Sequence, residues 1–120
     1  MTPSYELLVL YGKARGTLNR DDVIAALRAG LKARSGKVWS VTGGRGTGYG
    51  WIRIRSPKSR AVDEWGAMTP AECAELANLL GLERVHPQGE SIPAAHDYRR
   101  AYLDRSAGLE PSVQPRPYWD

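Results

Sequence analysis

Between Val23 and Val62 this chain has no Asp and no Glu, while the same stretch holds nine Lys and Arg. The formal net charge of +4 over 120 residues therefore divides into +9 inside that window and −5 outside it. A charge run is more often a solvated face than a binding site, but a missing acid complement is harder to explain by solubility alone, which mixed charges would serve as well. It directs attention to a polyanionic partner, nucleic acid above all, or to an acidic protein surface. The single cysteine, Cys73, excludes an internal disulfide and agrees with a reducing compartment. No apolar run reaches the length of a membrane span, and Met1–Tyr5 lacks the basic segment and long apolar stretch of a signal peptide. A cytoplasmic protein without a membrane partner is expected. There are no internal repeats.

What is present describes a globular chain, with 42% apolar and 25% charged residues. The expected organisation is one α+β domain over 1–108 and a Pro-rich extended tail over 109–120. Pro111, Pro115 and Pro117 exclude regular helix from that tail. Its Tyr118 and Trp119 are expected to dock on the domain.

Tyr5–Tyr11 is a short apolar run bounded by Pro3 and Gly12, which predicts a central strand. Asn19 or Asp21 can cap a helix from near Asp22 to Gly36, with Ile24, Leu27 and Leu31 as its apolar stripe. Lys37–Thr42 and Tyr49–Arg55 alternate around a loop, 43–48, that is mostly glycine, and predict a hairpin. Alternation turns Trp39, Val41, Ile52 and Ile54 inward, and Tyr49, Trp51, Arg53 and Arg55 to the other face. Residues 60–68, with Trp65, read as a loop or a third short strand. Thr69, Pro70 and Glu72 begin a helix as cap, first position and capping-box partner, and Gly81 ends it. Residues 82–91 read as a connection. A last helix is expected from about Pro93 to Ala107, placing Tyr98 and Tyr102 toward one neighbour.

The order of a helix, then Val38–Val41, a glycine-rich turn and Trp51–Ile54 resembles the small accessory domains of large polyvalent proteins from phages and mobile elements. The resemblance covers about a third of the chain and implies such an origin, without assigning any functional residue. Helix–hairpin order is also similar to double-stranded RNA binders and small ribonuclease toxins. The toxin-like hairpin histidine is missing here.

Among candidate sites, Gly44, Gly46, Gly48 and Gly50 alternate, which matches neither the dinucleotide fingerprint nor the Walker order. The loop is either a plain turn or a place where backbone N–H groups and Arg45 meet phosphate. Tyr49 and Trp51 either stack on bases beside Arg53 and Arg55 or are covered by helices. Arg28, Lys32, Lys37, Lys58 and Arg60 add to the positive field in both cases. Cys73 lies on an apolar helix side, and His86 and His96 have no companions at metal-ligand spacing. Neither a catalytic group, a metal nor a cofactor is expected.

The expected fold is α+β, a small antiparallel sheet of three or four strands with two or three helices packed mainly on one face. The expected function is non-enzymatic nucleic-acid binding through the basic, Gly-rich hairpin face. The alternative is a protein-interaction module or inhibitor of phage or mobile-element origin that binds an acidic protein surface. DNA and RNA are not distinguished, nor is the oligomeric state.

Overall fold

A computed structural model of the chain describes residues 5–60 and 62–113. In order it contains α1 (Tyr5–Thr17), α2 (Arg20–Ser35), β1 (Ser40–Gly43), β2 (Ile52–Arg55), α3 (Pro70–Leu80), β3 (Glu90–Ile92) and α4 (His96–Ser106). The fold is α+β, with a three-stranded antiparallel sheet in the order β1-β2-β3. Tyr118 and Trp119 lie outside the described residues.

Helix α2 forms where its chemistry places it. The Asn19 side chain accepts from the Asp22 N–H at 2.9 Å, Asp21 and Asp22 occupy the positive first turn, and Gly36 closes the end at φ +73°. Its buried residues, Val23, Ala26, Leu27, Gly30 and Leu31, recur at three and four positions and make one stripe. Helix α3 likewise begins at the Thr69 cap with Pro70 in its first turn and ends at Gly81, φ +66°. The last helix runs His96–Ser106, within the expected span.

Two expectations are corrected. The run Tyr5–Tyr11 is not a strand but the first half of α1. Tyr11 and Ala14, followed by Leu18, sit at helical intervals and turn toward α2 and α4, so the core-facing period is that of a helix. The described residues therefore form four α-helices. The third strand, β3, comes from the segment read as a connection and pairs with β2 through Ile52↔Ile92, Arg53↔Ser91 and Ile54↔Glu90. Residues 62 and 68 form only an isolated bridge.

The inner face of the sheet carries Val41, Ile52, Ile54 and Ile92, all essentially buried, against α2 and α4. Burying each such side chain contributes roughly 1.5–3 kcal/mol. Trp39 is fully buried, with its Nε1 donating to Ser35 Oγ at 3.2 Å and the Arg60 guanidinium 4.3 Å above its ring. Tyr98 and Tyr102 both pack against this core, and the Tyr102 hydroxyl donates to Glu90 at 2.8 Å, tying α4 to β3. Helix α1 is attached differently. The buried Asp104 of α4 accepts from the Tyr11 hydroxyl at 2.8 Å and from Arg15 at 3.3 Å, while Tyr5, Leu8 and Val9 stay exposed.

Candidate nucleic-acid interface

Because side chains alternate along a strand, the residues paired across the sheet divide into two faces. One is the core face. The other carries Ser40 and Thr42 of β1, Arg53 and Arg55 of β2 and Ser91 of β3, in the pairs Ser40↔Arg55, Thr42↔Arg53 and Arg53↔Ser91. The three strands place no Asp or Glu on it. Arg53 is exposed at its centre between two hydroxyl side chains, and a groove of about 420 Å³ opens there, lined by Thr42, Gly44, Gly48, Trp51, Arg53 and Ser91.

The groove depends on a built loop rather than a loose turn. Residues 46–48 form a 3-10 turn, and Gly44 and Trp51 close the hairpin through the Gly44 N–H on Trp51 O at 2.8 Å. Behind it, Arg20 donates to Gly44 O at 2.9 Å and Tyr49 O at 2.6 Å, with its guanidinium 3.8 Å over the Tyr49 ring. Arg99 donates to Leu18 O at 2.8 Å and Gly50 O at 2.9 Å. Burial, then the neighbouring Arg20 charge, lower the Arg99 pKa from its usual value, far too high for neutral pH to discharge it. A Cβ on Gly44 would lie 2.0 Å from Gly48 O, and one on Gly50 would lie 2.3 Å from Ala94 Cβ. Those two glycines are there for close approach.

The cations expected to act together are distributed over the molecule. Arg28 donates to Val41 O at 2.8 Å, beside β1, and Lys32 lines a second groove with Glu6, Leu7 and Leu10 next to α1. Lys37 pairs with Glu75 of α3 at 2.8 Å. Arg60 pairs with the buried Glu72 at 2.6 Å and donates to Val38 O at 2.8 Å, so Glu72 serves this ion pair rather than a capping box. Carboxylate partners cancel the field of Lys37 and Arg60; a carbonyl partner leaves the charge of Arg28 intact. Arg45 in the glycine loop and Lys58 after β2 are exposed at the two ends of the hairpin. Tyr49 is 60% exposed but lies in the loop under Arg20, not in the strand, and Trp51 is half-buried at the groove wall. Arg55 donates to Gly66 O.

That last bond leads to a residue that sequence reasoning left unassigned. Trp65 is 83% exposed on a tight loop in which Asp63 Oδ1 accepts from the Trp65 and Ala67 N–H groups, each at 2.9 Å. Arg55 holds this loop through Gly66 beside the open face. The local signal was Asp63 and Gly66 at the first and fourth positions of a turn, which frames Trp65 at its third. Arg20 and Arg99 were also missed, since nothing in their local sequence marks the carbonyls they hold.

Among the described residues no three of His, Cys, Asp or Glu cluster in a way that could hold a metal. His86 Nδ1 accepts from the Gln88 N–H at 3.0 Å, and His96 is exposed. Burial, then the Glu72 charge, push the Cys73 thiol up, away from thiolate chemistry. No helix among the described residues is long and apolar enough to cross a membrane. No known protein family, curated protein or solved structure matches the chain, so the resemblance to phage and mobile-element accessory domains rests on the sequence order of a helix, Val38–Val41, the glycine-rich turn and Trp51–Ile54 alone.

Proposed function

We propose that the chain is a non-enzymatic nucleic-acid-binding domain that uses the open face of its sheet. The observation that carries this reading is Arg53, exposed at the centre of a sheet face on which the three strands place no Asp or Glu, between Thr42 and Ser91 and beside the Trp51 groove. Guanidinium groups take phosphates, often through two parallel hydrogen bonds, and neighbouring hydroxyls add contacts to phosphate or sugar. Arg45 and Lys58 extend the positive field along the hairpin axis. The same face would suit the alternative, an interaction module for an acidic protein surface.

Electrophoretic shifts with DNA and RNA at two salt concentrations separate these readings. Nucleic-acid binding should weaken steeply with salt, by roughly 0.7–0.9 in log K per log salt for each neutralised phosphate. Arg53→Ala should weaken binding to all sequences and flatten that slope by about one phosphate's share, with an unchanged melting temperature because the side chain is exposed. Absence of any shift at low salt would sink this reading, and tight binding to one protein without nucleic-acid binding would establish the alternative.

A further inference from the structure

We infer that the partner of the open face is single-stranded nucleic acid, with the Trp65 indole as a stacking platform for one base; this rests on the nucleic-acid reading above. The outward positions of β2 are Arg53 and Arg55, Trp51 lies just before the strand on the groove wall beside Arg53, and Arg55 bonds Gly66 O in the loop that carries Trp65. Two cations therefore stand between two aromatic residues, Arg53 beside Trp51 in the groove and Arg55 against the loop of Trp65. Arg53 is two residues from Trp51 and two from Arg55, roughly 7 Å each way at the rise of a strand. Trp51 is half-buried and walls the 420 Å³ groove; Trp65 is 83% exposed on the loop that Arg55 holds.

The two forms of nucleic acid ask different things of such a face. A duplex keeps its bases paired and stacked inside, and its sequence is read by a helix or ribbon that enters a groove. A face made of strands of four, four and three residues presents no helix, and duplex phosphates laid across it would leave the indole idle. A single strand offers phosphates and open π-faces together. Charge and aromatic surface are then used at once: Arg53 takes the backbone, and bases lie on the indole of Trp65 and in the groove beside Trp51. The loop is held in advance by Asp63 and Arg55, which limits the ordering cost of binding.

The test uses fluorescein-labelled oligothymidylate and oligouridylate of about 12 nucleotides, within the span of known single-strand sites, against a duplex of equal length at low salt. Both single strands should bind at least about tenfold more tightly than the duplex, a margin near one stacked base. Trp65→Ala should lower single-strand affinity roughly 5- to 140-fold and leave duplex binding and the melting temperature unchanged. Trp65→Phe should keep most of the affinity. Equal binding of single strand and duplex, or a Trp65→Ala variant that binds single strands like the original, overturns the single-strand inference while the nucleic-acid reading stands. Binding of none of the three polymers overturns both.

Discussion

Arg34 and Arg53 carry the same guanidinium to different ends. Arg34 donates to the carbonyls of Leu79 at 2.6 Å, Arg105 at 3.1 Å and Ser106 at 3.2 Å, where α3 and α4 end and leave acceptors without helical partners. Arg105 does the same for Leu80 and Gly81, each at 3.1 Å. Arginine in this chain therefore serves folding as well as field, and only residues such as Arg53 are left to the solvent face. Asp104 is the acidic counterpart, 1% exposed, accepting from Tyr11, Arg15 and the Ser112 N–H. Burial alone would raise its pKa, but the Ser112 N–H, the Tyr11 hydroxyl and the Arg15 charge together hold it below the ordinary 3.8. A depressed carboxyl contributes stability that is complete above the unfolded value and is lost as pH falls through the lower folded one. Asp104→Asn should lower stability at neutral pH by about 1–3 kcal/mol and lose less than the original chain on going from pH 7 into that acid window. Urea melts at both pH values measure this, and equal acid sensitivity in the two proteins would remove Asp104 as the cause.

At the scale of elements, α1 and the glycine loop are each decided by what lies against them. An apolar run such as Tyr5–Tyr11 satisfies a buried strand or a buried helix, and Gly12 and Gly16 lower helix propensity further. Contact with α2 and α4 selects the helix. In the loop, Gly44 is packed so closely against Gly48 that Gly44→Ala should force the turn open. The expected cost is about 1–3 kcal/mol, together with weakened nucleic-acid binding because Gly44 and Gly48 line the groove. Gly12→Ala is the matched comparison, since a methyl group there meets nothing within 4 Å. That change should leave binding alone and stabilise the helix by about 0.5–1 kcal/mol. If both alanines act alike in melting and binding, close packing of the loop is not what holds the groove.

At the scale of the molecule, a sheet and four helices share one core among the described residues, and the two ends of the described chain meet on α4. Asp104 gathers them: Tyr11 and Arg15 from α1, and Ser112 from the segment after α4, whose Leu109 N–H also reaches Asp104 O at 2.9 Å. Ending the chain at Gly108 would remove the Ser112 N–H from a buried carboxylate. Stability should fall by about 1–3 kcal/mol, and amide exchange in α1 should quicken more than in the sheet, because α1 is the element that shares that carboxylate. An unchanged exchange pattern in α1 would show that the two attachments are independent.

Helix starts and stops were legible in the sequence: the Asn19 and Thr69 caps, Pro70, Gly36 and Gly81 all stand where their residue types predict. The hairpin was legible too, as were its inward residues Val41, Ile52 and Ile54. These features depend on hydrogen bonds and side-chain periods within a few residues, so local composition determines them. The helical state of Tyr5–Thr17, the third strand Glu90–Ile92, the Arg60–Glu72 pair and the Arg55 bond that sets Trp65 beside the open face depend on segments far apart in the chain. A sheet edge chooses its partner, and a cation its carbonyl or carboxylate, only when packing brings them together. For that reason the acid-free window declared a positive sector from the sequence alone, while the tertiary structure decided which of its cations face water.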